Sequence, residues 1–249
     1  MARPVGMSAP TAEVIRWGRE RARIGAWRGE REVAYLAPLP DSPFPSAEFL
    51  RRCLDTLASN GYSKVVTGAL SPLEQAGFLA AGFDVAERLH LLRRDLGRED
   101  PASHLPAVGP GHPLRRVRGR REDVLRVDRA AFPAFWQFDR AGLLDALRAT
   151  PSTRFRAAVP LGGTVAGYSI CGRAGWRGFV QRLAVDPGRQ REGTGRRLLL
   201  DGLHWMQRRG VRRVVVNTQV GNEAALALYL ATGFEQEPAG LSVLSAGLT

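Results

Sequence analysis

The heptapeptide RQREGTG, residues 189–195, decides how this chain folds. It joins a strand-like segment, GFVQRLAVDP (178–187), to a helix-like one, GRRLLLDGLHWMQRRG (195–210). Glycine lacks a Cβ and tolerates positive φ, so Gly193 and Gly195 can serve a strand-to-helix corner for geometry alone. They can equally let the backbone approach a phosphate, which the unpaired N–H groups of a first helical turn would meet. The heptapeptide alone leaves both readings open, and its surroundings have to choose.

On its C-terminal side, Leu199, Leu203 and Met206 share one face of a helix, and VRRVVVNT (211–218) reads as a buried strand. NEAALALYLATGF (222–234) opens with Asn222 as N-cap, runs as a helix to Ala231 and stops at Gly233. On its N-terminal side, LRRVR (114–118) reads as a strand, and REDVLRVDRAAF (121–132) and DRAGLLDALRA (139–149) as helices. RFRAAVPLGGTVAGYSICGR (154–173) reads as a hairpin turning at Gly162-Gly163. With short strands closing the chain, the predicted order is β-α-α-β-β-β-α-β-α-β.

The stretch GREDPASHLPAVGPGHP (97–113) is rich in Pro and Gly and has no apolar period, as expected of a linker between a part spanning 1–96 and a part spanning 114–249. The first part repeats the end of the second. GYSKVVTGALSPLEQAGFLAAGF (61–83) parallels GVRRVVVNTQVGNEAALALYLATGF (210–234), with EVAYLAPLP (32–40) as the preceding strand and SAEFLRRCLDTLASN (46–60) as the intervening helix. The repeat is chemically incomplete. Its strand-to-helix loop, PLPDSPFPSAEF (38–49), holds no glycine; Phe78 stands where Tyr229 does, four residues before the Gly-Phe pair; Ser71 stands where Asn222 does.

The 249 residues exceed a usual single domain, and 44% hydrophobic content supplies an ordinary core. No apolar window is long enough to span a membrane and the start lacks a signal-type apolar run, so a cytoplasmic protein without a membrane partner is expected. Cys53 and Cys171 stand far apart with no metal-ligand spacing around them, and read as buried free thiols with no metal. The net charge of +12 suits an anionic partner. Without an aromatic-studded basic stretch, it points to a phosphate-bearing ligand rather than to nucleic acid.

The second part, from about 112 to 246, resembles the GNAT superfamily of N-acetyltransferases. The resemblance rests on LAVDPGRQREGTG, carrying Q/R-x-x-G-x-G/A at Gln190, Gly193 and Gly195; on NEAALALY, carrying N-x-x-A-x-x-L-Y at Asn222, Ala225, Leu228 and Tyr229; and on Gly233-Phe234. It implies an α/β fold with a mixed central sheet flanked by helices, preceded here by a smaller, degenerate GNAT-like α/β domain without catalytic function. It implies acetyl-CoA as co-substrate, its pyrophosphate held by N–H groups of Gln190, Arg191, Glu192, Gly193, Thr194, Gly195 and Arg196. The pantetheine arm would lie beside the strand 178–186, pairing with Leu183 and Val185 and touching Asn222, where a bulge opens that strand from 211–218. Tyr229 is the implied general acid for the leaving thiolate.

This sequence departs from the family where some relatives carry a glutamate base: Phe179 and Asn217 stand there, and neither takes a proton at neutral pH. Asp139 and Glu122 are alternatives flanking the acceptor side. The loop AFPAFWQFD (131–139), with Phe132, Phe135, Trp136 and Phe138, reads either as an apolar acceptor pocket or as core; Asn217 joins Phe135, Trp136 and Phe138 as a pocket candidate. The expected function is N-acetyl transfer from acetyl-CoA to a primary amine of a peptide or small molecule, by a monomer or homodimer. The motif NEAALALY is similar to peptide N-terminal acetyltransferases, and the two-part layout to tandem enzymes acting on small amines. A non-catalytic acetyl-CoA sensor or a basic nucleic-acid adaptor on the same fold is the alternative.

Overall fold

The computed structural model describes residues 13–28, 30–39, 41–97 and 105–248. The chain divides into two units, residues 1–90 with 238–249, and residues 91–237. Both are mixed α/β layers, the class read from the sequence.

The first unit orders its strands β1 (Glu13–Trp17), β2 (Glu20–Ala26), β3 (Val33–Pro38), β4 (Lys64–Leu70), β12 (Leu241–Gly247) and the beginning of β5 (Asp84–Asp95). Only β3 and β4 run parallel, as a strand–helix–strand crossover requires. The crossover is α1 (Ala47–Ser59), whose Phe49, Leu50, Cys53 and Leu57 recur at helical spacing and pack with Leu36 and Phe78. Phe78 sits on α2 (Pro72–Ala80), which starts with a Ser71–Glu74 capping box.

In the second unit the order is the end of β5, β10 (Arg213–Gln219), β9 (Arg177–Val185), β8 (Gly167–Ala174), β7 (Ser152–Ala158) and β6 (Leu114–Arg116), with β11 (Glu235–Gln236) also on β5. Period-two alternation along β8 divides the core. Tyr168 and Ile170 face α3 (Arg121–Ala131) and α4 (Arg140–Arg148), while Cys171 faces α5 (Thr194–Gln207). α5 lies close to the sheet because it has no side chain at Gly202, where a Cβ would stand 2.4 Å from Cys171 Sγ. Strand β10 then leads into α6 (Glu223–Ala231).

Two boundaries differ from the sequence partition. Residues 238–249, assigned by the sequence to the second part, group with the first unit, and 91–96 group with the second. Of the expected linker, 98–104 lie outside the described residues. The described remainder is strapped to α5: Leu105 is buried in its core, His204 Nε2 bonds Pro106 O at 2.9 Å, and Arg197 Nε donates to Gly109 O at 2.7 Å. Proline and glycine there suppress regular structure without loosening the packing. No helix among the described residues is long and apolar enough to cross a membrane.

Candidate active site

Strands β9 and β10 begin as a parallel pair and then part. Their register runs only through Arg213↔Arg177, Val214↔Gly178 and Val215↔Phe179, leaving the remaining six residues of β9 without a β10 partner. On its other edge β9 keeps pairing with β8, but the register slips between Ile170↔Arg182 and Cys171↔Val180, so Gln181 is an extra residue. That is the expected bulge, and a bulge bends its strand. The N–H of Asp186 donates to Ala166 O at 2.9 Å on the β8 side. Alternation then turns the N–H and C=O groups of Leu183 and Val185 the other way, into the opening left by β10.

The corner after β9 is built from its backbone. Asp186 accepts from Gly188 N at 3.1 Å and from Arg126 at 2.8 Å, which fixes a single 3₁₀ turn at Pro187–Arg189. The Arg126 hydrogen bond lowers the carboxyl pKa of Asp186 below its ordinary value. Gln190 is extended and exposed, Arg191 adopts φ 67° and Gly193 φ 73°. Left-handed residues at alternate positions are the backbone pattern from which anion nests, with successive N–H groups turned to one side, are built.

Gly193 is the N-cap of α5 and offers no side-chain acceptor, and the first helical bond runs from Arg197 N to Gly193 O at 3.0 Å. The N–H groups of Thr194, Gly195 and Arg196 precede that ladder and point out of the helix end. A Cβ on Gly195 would meet Leu228 at 3.4 Å and Val185 at 3.5 Å, ordinary contacts, so packing within the chain does not demand glycine there. Thr194 is buried and Arg196 exposed, while Glu192, the loop's carboxylate, is turned to His112 at 3.1 Å. An uncapped N-terminus, a nest and a free strand edge together fit a pyrophosphate followed by an amide-bearing arm.

On α6, Asn222 caps its own helix, accepting from Ala225 N at 3.2 Å. Leu228 lies beside Gly195, so the next residue, Tyr229, belongs to the turn of α6 nearest the corner. Tyr229 is 5% exposed, its ring 5.6 Å from Phe234. Burial, helped by the Cys171 thiol nearby, raises its pKa above the ordinary 10, so the phenol carries its proton at neutral pH. Phe179 is the last residue of β9 paired with β10, and Asn217 is exposed on β10 beyond the parting.

The aromatic loop is organised around a cation that the sequence did not single out. Arg182 is held bidentately by the fully buried Asp128 at 2.8 and 2.9 Å and donates to Trp136 O at 2.6 Å. Phe132 and Phe138 stack on its guanidinium at 3.4 and 4.1 Å, and Tyr168 donates to Asp128. Phe132 and Phe138 therefore have a packing role. Phe135, 37% exposed, stands edge-on to Trp136 at 5.1 Å. The signal was present: Asp128 lies on the apolar face of α3, and a buried carboxylate needs a partner. Of the candidate bases, Asp139 caps α4 through Gly142 N at 2.7 Å and Glu122 pairs with Arg140 at 2.6 Å. Among the described residues no group of three or more His, Cys, Asp or Glu could hold a metal ion.

The acetyltransferase (GNAT) family model matches residues 121–234. A mycothiol acetyltransferase of Thermobispora bispora is 31% identical over 229 residues, covering 82% of this chain and 77% of that one. The chain belongs to the GNAT acetyltransferase family. A Nocardioides sp. mycothiol acetyltransferase is 30% identical over 174 residues, and there the match spans 61% of this GNAT chain and only 59% of the relative. Among solved structures, a tandem GNAT protein from the clavulanic acid biosynthesis pathway superposes with a TM-score of 0.71 at 18% identity, over 97% of this chain and 85% of that one. This likeness extends the shared fold through both units. Acetyl-CoA is the co-substrate of the family.

Proposed function

We propose that the second unit transfers an acetyl group from acetyl-CoA to a primary amine, and that the first unit has no catalytic part. The observation that carries this is the uncapped, glycine-started α5 beside a strand whose free edge begins where β10 departs. The corner from Gln190 to Arg196 would take the pyrophosphate, and Leu183, Val185 and Asn222 the pantetheine amides. Bound there, acetyl-CoA supplies an activated thioester. As the amine nitrogen bonds to the carbonyl carbon and the C–S bond breaks, Tyr229 gives its proton to the departing thiolate. The amine's own proton leaves to water, because Asp139 and Glu122 are engaged elsewhere. The likeness to mycothiol acetyltransferases supports a small amine as acceptor over a peptide N-terminus.

Calorimetric titration of acetyl-CoA into the protein and into Gly193→Glu tests the reading. A carboxylate placed in the nest, at a φ that disfavours a side chain, is expected to weaken one-site binding at least 100-fold. A wild-type protein that binds no acetyl-CoA would sink the proposal. Thiol release with a panel of small amines and peptides then ranks the acceptors.

A further inference from the structure

At the far edge of the second unit's sheet, positive charge accumulates where little answers it. Arg116, on the outermost strand β6, lies directly opposite Arg156 on β7, and Arg154 shares the same face two residues away. Like charges directly opposite in an antiparallel ladder repel. The carboxylate that reaches them is Asp201 of α5, but its two oxygens are both taken by Arg154 at 2.7 Å, and it approaches Arg156 only to 3.9 Å. Arg156 is 18% exposed, with a weak 3.4 Å bond from Nη1 to Phe155 O. Burial first, then the neighbouring Arg154, lower the pKa of its guanidinium, with Arg116 adding to them and Asp201 acting the other way without reversing the direction.

These three arginines, with Arg209, Ser152 and Trp205, line a concavity of about 490 Å³. A second concavity of about 540 Å³ shares Arg116 and adds Arg115, Arg118 and Arg120. Charged residues commonly blunt an exposed sheet edge, but they do so held out in water. A guanidinium largely buried against two others is not explained that way. It is explained by an anion that completes the cluster, because the planar guanidinium fork matches phosphate oxygens two at a time.

We propose that the Arg116–Arg154–Arg156 concavity is a phosphate-binding site, taking a phosphate ester or pyrophosphate. It is separate from the acetyl-CoA cleft, since β7 and β6 lie two and three strands from β9, about 9 and 14 Å at ordinary strand spacing. The phosphate can come from a free phosphorylated molecule or from a nucleic-acid backbone, for which the second concavity would take the next phosphate.

The 249-residue chain carrying Gly193→Glu, which removes the proposed cofactor corner, is titrated with inorganic pyrophosphate and with a labelled 20-nucleotide single-stranded RNA in 0.1 M salt. At least one probe is expected to bind, and adding Arg156→Gln to weaken it tenfold or more while raising Tm, because like-charge repulsion is relieved. A purely structural Arg156 would instead lower Tm when replaced. Pyrophosphate binding at least as tightly as RNA identifies a free ligand. Tighter RNA binding, with a salt slope that falls by about 0.7 per arginine removed, identifies the backbone. Arg116→Gln, at an exposed position, repeats the test should Arg156→Gln not fold. If neither probe binds, or if both arginine variants leave affinity unchanged, the site does not exist.

Discussion

The two units start the equivalent helix in opposite ways. In the first, α1 is closed by its own chain: Ser46 Oγ accepts from Phe49 N at 3.2 Å, and Glu20 accepts from Ser46 N at 2.5 Å and meets Ser46 Oγ at 3.0 Å. A carboxylate thus holds the place an anionic ligand would need. In the second, Gly193 leaves the helix end bare. The strands follow suit, since β3 pairs with β4 along four of its six residues, β9 with β10 along three of its nine. Yet the next corner is the same in both. Phe83 N bonds Phe78 O at 3.1 Å under Gly82 at φ 91°, and Phe234 N bonds Tyr229 O at 3.0 Å under Gly233 at φ 78°. What differs is the part proposed to carry the chemistry, and what persists is the backbone that packs.

Removing one oxygen should make the second unit resemble the first in activity without touching its fold. Tyr229→Phe is expected to cut kcat by about 10² to 10³, the worth of a positioned proton donor, while acetyl-CoA affinity in calorimetry stays within twofold. An equal loss of affinity would show a packing role instead. Because burial holds the phenol above 10, the wild-type rate should show no alkaline fall assignable to Tyr229 below that pH. Gly195→Ala separates ligand from protein more finely. The added methyl meets only ordinary contacts, and alanine favours a helix over glycine by about 1 kcal/mol, so Tm should hold or rise. Acetyl-CoA affinity should nevertheless drop about tenfold, the methyl standing where the pyrophosphate would approach. Unchanged affinity would return Gly195 to a purely local role.

Much of this was legible because it is written in backbone requirements. RQREGTG carries its glycine at a left-handed N-cap, and the Gly-Phe pairs mark two identical helix ends. The destination of β12 was not legible: alternation identifies a strand, but not which sheet accepts it, and LSVLSAG goes to the first unit between β4 and β5. The β1–β2 hairpin was hidden by charge, with Arg16, Glu20, Arg21 and Arg23 obscuring the alternation around Gly18. The aromatic loop showed its density in sequence. Its purpose depends on Arg182, fifty residues away along the chain and visible only once Asp128 is seen to be buried.

If Glu20 acts as a built-in substitute for a ligand anion, replacing it should cost stability and give nothing back. Glu20→Gln is expected to remove about 1 kcal/mol, lowering Tm by roughly 2–4 °C. Titration of that variant with acetyl-CoA should still reach one equivalent, since the loop has no glycine and Phe78 no hydroxyl. A stoichiometry of two would mean that this single carboxylate keeps the first unit from binding, and the contrast between the units would shrink to one residue.

The smallest expected effect concerns what holds the open corner rigid. Arg126 joins Asp186 at 2.8 Å and Val165 O at 2.8 Å, so Arg126→Ala frees the turn before the glycines on two sides. With Arg126 43% exposed, solvent screens the pair, and the loss should be about 0.5–1 kcal/mol at neutral pH. The Asp186 pKa is lowered in the folded protein, chiefly by the Arg126 hydrogen bond. Its contribution is therefore complete above the carboxyl's unfolded value near 3.8 and is lost as pH falls through the lower folded value. The Tm gap between wild type and Arg126→Ala should accordingly be constant from pH 7 to 5 and narrow below pH 4, leaving only the part due to the Val165 bond. A gap that stays constant into acid would assign the whole effect to that neutral bond, and the corner would owe its shape to backbone geometry without help from the ion pair.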